Sequence, residues 1–148
     1  MEEENEEKKE YEDYRISKLR EYLLKILKDI IEELNVSYLD SEIESYSLRR
    51  MPVSQTVEQW IIPITKKREV YNFISRKTFS NDLKDNLLNI GFFEKFEKNI
   101  IEKNKNKILP EIENIEKIEC LNTGTIQNVT PETSVFSIQL QITYREVY

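Results

Sequence analysis

At 148 residues, with 22 basic against 28 acidic side chains and a net charge of −6, the chain has the length of one domain with a sizeable core and the wrong sign for broad binding of a phosphate backbone. It has no histidine, one cysteine and two glycines. That removes the commonest general base and metal ligand, excludes an internal disulfide, and leaves neither a P-loop nor a dinucleotide fingerprint that can be written. No apolar run approaches the roughly 18–20 residues that cross a bilayer, and the acidic opening MEEENEEKKE is the reverse of a signal peptide's basic start, so the expected compartment is the cytoplasm, away from membranes.

Residues 1–12 form a charge-dense tract without periodicity, expected to be a solvated arm ahead of a single domain over 13–148. A helix is expected from Asp13 to Leu34, where Ile16, Leu19, Leu23, Ile26, Leu27, Ile30, Ile31 and Leu34 recur at three- and four-residue steps. Around SYSLRRMP the chain is expected to be extended, because Pro52 biases Met51 away from helical angles. QWIIPI and KREVYNFISRKTF have the β-branched and aromatic content of strands. In the second run, Tyr71 and Phe73 take one face and Val70 and Ile74 the other, so both faces need cover.

From Ser80 to Pro110 the spacing is helical again, with Leu83, Leu87 and Ile90 as the stripe, a cap or kink at Gly91, and a second piece carrying Phe92, Phe96 and Ile100. The chain closes on a hairpin. Its first strand holds Ile118 and Cys120, a bulge is expected at Gly124, and the turn falls in NVTPETS. The last strand, SVFSIQLQITYREVY, alternates strictly: Phe136, Ile138, Leu140, Ile142 and Tyr144 against Ser137, Gln139, Gln141, Thr143 and Arg145. The predicted fold is α+β: an antiparallel or mixed sheet with a long N-terminal helix and a kinked central helix packed on one face.

Three sets of side chains are candidates for contact with a partner. Arg49, Arg50, Lys66, Lys67, Arg68, Arg76 and Lys77 fall in the middle third. Interleaved with Tyr46, Trp60, Tyr71 and Phe73, they suit a single-stranded nucleic acid or an acidic protein surface, or else are ordinary solvated strand ends. Trp60 is by itself a core or interface anchor. The uncharged row Ser137, Gln139, Gln141, Thr143 suits a protein partner, because it desolvates no unpaired ion. Cys120 is expected to be a small apolar filler, since no histidine exists to activate it. Neither a catalytic site nor a cofactor is expected.

An amphipathic N-terminal helix followed by SYSLRRMP, QWIIPITKKREVYNFISRKTFS, NIGFFEKFEKNI and IECLNTGTIQNVTPETSVFSIQLQITYREVY, in that order and spacing, resembles the small tail-terminator proteins, often labelled minor capsid proteins, of clostridial phages and phage-like contractile particles. The likeness runs from about Lys18 onward. It implies a homo-oligomeric ring, typically of six subunits, at the head-proximal end of the tail tube in a particle assembled in the bacterial cytoplasm. Such a ring halts tube and sheath polymerisation and offers a surface to the neck, with DNA passing only as cargo. The row Ser137 to Thr143 then faces a neighbouring subunit, the lumen or the tube. A neck or head-completion adaptor is the alternative of the same class.

Overall fold

A computed structural model describes residues 11, 14–28, 34–37, 45–53, 56–59, 64–78, 83–122, 124–129 and 133–147. In chain order the elements are α1 (Arg15–Ile26), β1 (Asn35–Val36), β2 (Ser45–Met51), β3 (Thr56–Gln59), β4 (Ile64–Thr78), α2 (Leu83–Lys105), β5 (Ile115–Cys120), β6 (Thr125–Val129) and β7 (Thr133–Val147). The fold is α+β, with a mixed sheet in the order β1-β2-β4-β7-β5; β3 also pairs with β4, and β6 with β7. Among the described residues only the β1–β2 pair is parallel; the other pairings are antiparallel.

The spine of the sheet is the β4–β7 pair, in register from Ile64↔Val147 to Thr78↔Thr133. Because side chains alternate along a strand, that register places Tyr71 with Leu140 and Phe73 with Ile138 on one face. Both helices pack there. Leu19, Tyr22 and Leu23 of α1 and Phe93, Phe96 and Ile100 of α2 join Tyr46, Leu48, Tyr71, Phe73, Phe136, Ile138, Leu140 and Ile142 in one buried cluster. The rings of Phe73 and Phe96 stack with centroids 5.1 Å apart, tying the middle of β4 to α2. Val70 and Ile74 are also buried, yet stand outside that cluster.

Several expectations need correction. The first helix ends at Ile26, and Leu27 leaves it at φ −106°, ψ 17°. Leu34 is buried without being helical, and its carbonyl accepts a 2.6 Å bond from Arg20 Nε; Ile30 and Ile31 lie outside the described residues. An apolar stripe records burial, and here a turn and a loop supply part of it. The second helix runs unbroken through Gly91, where an added Cβ would meet nothing within 4 Å. The left-handed residue is Lys107 (φ 59°), which ends the helix in a Schellman arrangement: Ile108 N–H to Lys103 O at 2.9 Å and Lys107 N–H to Asn104 O at 3.2 Å. Leu87 and Ile90, expected in the core, are 58% and 52% exposed, and Phe93 takes the buried position instead.

Gly124 lies between β5 and β6, where residues 121–124 stand opposite 138–139 of β7. The register shifts fall between Ile115 and Lys117 and between Ile126 and Asn128. Its role is close approach: a Cβ on Gly124 would sit 2.4 Å from Cγ of Phe93. The edge of β7 has two successive partners, β5 and β6. Between them the backbone of Gln139 is bonded to Leu121 N–H (2.8 Å) and to Asn122 Oδ1 (2.8 Å). The expected turn of the closing hairpin includes residues 130–132, outside the described residues.

Candidate docking surface

The face turned away from the helices is built by strand parity. Register aligns Arg49, Asn72 and Gln139 in one row across β2, β4 and β7, Ser47, Ile74 and Ser137 in the next, and Met51, Val70 and Gln141 on the other side. Arg76 sits opposite Val135, Arg68 opposite Thr143, and Lys66 opposite Arg145. Eight of the candidate residues therefore share one face: Arg49, Lys66, Arg68, Arg76, Ser137, Gln139, Gln141 and Thr143. The outward positions of β2, β4 and β7 hold five cations, adding Arg145, and no carboxylate.

The remaining candidates separate. Arg50 and Lys67 point to the helix side, where Arg50 Nη2 donates to Glu69 at 3.2 Å and Lys67 pairs with Glu146. Trp60 lies outside the described residues. Lys77 is 4% exposed on the helix side, its Nζ 2.7 Å from the Tyr46 hydroxyl and 4.1 Å from the centre of the Phe92 ring. Tyr46, Tyr71 and Phe73 are buried in the core. The pleat thus removes those rings from among the outward arginines.

Nor is the uncharged row uniformly open. Ser137 and Thr143 are 3% and 2% exposed, while Gln139 and Gln141 are half-buried. The outward Val70 and Ile74 are buried as well, so the middle of this face is covered within the chain, and Arg49 and Arg145 are the exposed groups an incoming surface meets first. On this face, Ser47 Oγ, Asn72 Oδ1 and Thr143 Oγ1 are buried without a hydrogen-bond partner. An orphaned buried polar atom costs about 1–3 kcal/mol, so a partner that reached it would have something to gain.

Toward β5 the cations are balanced. Glu116 accepts from Arg145 and lies 3.6 Å from Lys66, Lys117 lies 3.4 Å from Glu119, and Gln141 Nε2 donates to Glu119 at 3.0 Å. The Arg145 hydrogen bond, aided by the charges of Arg145 and Lys66, holds the Glu116 carboxyl below its ordinary value. On the β2–β4 side Arg49 is exposed. Cys120 is half-buried, and burial, reinforced by Glu97 and Glu119, pushes its thiol up to about 12. It is no nucleophile at neutral pH.

Sequence reasoning missed Ser47 and Asn72, although parity with Arg49 and Val70 marks both as outward, and it placed Arg145 in the outward row without counting it a candidate. It also passed over Glu69, the one carboxylate of β4, whose position within a buried strand signals that cations must meet it. Among the described residues, no group of three or more Cys, Asp and Glu side chains is placed to hold a metal ion, and no helix is long and apolar enough to cross a membrane. No protein-family model and no curated protein matches the chain.

Proposed function

We propose that this chain is a structural assembly subunit that docks onto other proteins through the outward face of its sheet. More specifically, it is a tail terminator of a phage or phage-like particle. Copies pack into a ring, typically of six, that caps the head-proximal end of the tail tube, stops further polymerisation of tube and sheath, and presents a surface to the neck. The observation that carries the docking reading is the outward face itself. Five cations and a partly buried polar row stand there without a carboxylate or an aromatic ring on β2, β4 and β7. That chemistry suits an acidic protein surface, with charge complementarity setting register and partner. The particular identity rests on the sequence resemblance.

A single-stranded nucleic acid fits this face less well. Such sites combine cations with rings on which bases stack, and here Tyr46, Tyr71 and Phe73 are buried on the opposite side.

The test is deletion of the gene in the producing cell, with tail lengths measured by electron microscopy. Over-long or irregular tubes identify the protein as the stop signal. Tails of normal length without heads transfer the role to a neck adaptor, and complete particles of normal length contradict both.

A further inference from the structure

On the helix side of the sheet, four donors from four elements or strand positions converge on one carboxylate. Arg15 Nε of α1 donates to Glu69 Oε1 at 2.7 Å, Arg50 Nη2 of β2 to the same oxygen at 3.2 Å, and the Tyr144 hydroxyl to it at 3.5 Å, while the Tyr71 hydroxyl donates to Oε2. The Glu69 side chain is 1% exposed, whereas those of Arg15 and Arg50 are 41% and 50% exposed. The Arg15 guanidinium also lies 4.6 Å from the centre of the Tyr144 ring. The carboxylate is saturated; the guanidiniums are not. Each carries five N–H groups and commits one to Glu69.

Charge is unbalanced in the same sense. Two cations surround one anion, which leaves one positive charge over in a partly desolvated setting where ion pairs normally match. The surplus faces open space. A groove of about 300 Å³ is lined by Tyr14, Arg15, Ile16, Arg50, Glu69 and Tyr71, and a second of about 360 Å³ continues past Arg50 and Glu69 beside Pro52. On the far side of Arg15, Glu111, Glu113 and Glu146 line the neighbouring groove, so an anion is repelled there and admitted from the Arg50 side.

We propose that the groove between Arg15 and Arg50 is an oxyanion site, taking a carboxylate or a phosphate on the guanidinium N–H groups that Glu69 leaves unused. Glu69 is then a positioning residue. By accepting from both arginines it fixes the two planar forks, whose spacing suits a bidentate anion better than a pair of lysines would. Tyr71 and Tyr144 keep their protons for Glu69, because burial first, and then the carboxylate, by its hydrogen bond and charge at Tyr71 and by its charge at Tyr144, push both phenols above their ordinary value.

The experiment titrates the full-length protein with sodium phosphate and, separately, with sodium N-acetylglutamate, each against sodium chloride at matched ionic strength. Binding is followed by calorimetry and thermal unfolding. A saturable heat and a saturable rise in Tm with at least one oxyanion are expected. Preference for phosphate makes this a phosphate site; preference for N-acetylglutamate makes it a seat for a protein carboxylate. Arg50→Gln weakens binding by about ten- to a hundredfold, the factor a charge-assisted hydrogen bond carries. Glu69→Gln keeps the shape, raises the local charge by one and tightens binding, and it carries the test should Arg50→Gln fold poorly. No saturable response in the wild type, an equal response in wild type and Arg50→Gln, or weaker binding by a folded Glu69→Gln overturns the proposal.

Discussion

The two faces of the sheet, drawn from the same strands, solve different problems. On the helix side Phe73, Ile138, Leu140 and Ile142 are 0% exposed, and the charged groups are tied down, Glu69 by two arginines and two tyrosines and Lys77 by the Tyr46 hydroxyl, while the hydroxyls of Ser75 and Ser134 are buried without partners. On the other side the buried polar atoms of Ser47, Asn72 and Thr143 are left without partners beneath a layer of arginines and glutamines. The helix side pairs its charges and leaves two serine hydroxyls unmet; the outward side leaves two hydroxyls and an amide oxygen unmet. The faces therefore differ in what they carry, a packed apolar core with matched charges against a polar surface of arginines and glutamines, more than in how many buried atoms go unmet.

The comparison breaks most sharply at neighbouring residues of β7. Ile138→Lys places an unpaired cation in the core and is expected to unfold the domain, costing at least about 3–5 kcal/mol, seen as loss of the cooperative thermal transition. Gln139→Glu with Gln141→Glu, one and three residues on, costs no more than about 1 kcal/mol, chiefly through Gln141→Glu meeting Glu119. Equal losses for the two variants would erase the distinction between the faces.

The glycines sharpen the same point on the helix side. Gly124→Ala drives a methyl group into the Phe93 ring and should destabilise by about 1–3 kcal/mol. Gly91→Ala, in open space within α2, should stabilise by about 0.5–1 kcal/mol, so chemical denaturation of the two moves in opposite directions.

On the outward face, Thr143→Val removes an orphaned hydroxyl and is expected to change stability by less than about 1 kcal/mol, with the sign toward stabilisation. The smallest effect is one of pH. Glu116 is held below its ordinary value of 4.5, so its contribution is present above that value and is lost as pH falls through the folded-state value. Glu116→Gln should flatten the acid limb of the stability curve below pH 4.5 and lower neutral-pH stability by the same amount, a small one, as suits a surface pair.

Much of the architecture was legible in the alternation of single strands. The row Phe136 to Tyr144 identified the last strand and its core face, and Val70 and Ile74 announced that β4 is covered on both sides. Less legible was the way a pleat divides a charge run. Arg49 and Arg50 are adjacent in sequence and on opposite faces in space, as are Lys66 and Lys67, so the basic cluster read along the chain is really an outward surface and an inward set of ion pairs. The first helix was overextended because Leu27 and Leu34 are core residues held by turn and loop, which have no period to betray them. Gly91 and Gly124 were not separable in advance because only packing distinguishes a glycine that must be small from one that is merely tolerated. The Glu69 site joins α1, β2, β4 and β7, and no local pattern reports a meeting of residues so far apart in sequence.

The central claim, that the outward face serves assembly and not folding, is tested most directly by the Gln139→Glu, Gln141→Glu chain expressed in the producing cell in place of the wild type. The purified variant is first shown to melt cooperatively, and particles from those cells are then imaged by electron microscopy and probed for the protein. The account predicts a folded protein missing from the particles, with over-long or irregular tubes. Particles of normal length carrying the variant at wild-type abundance would contradict it.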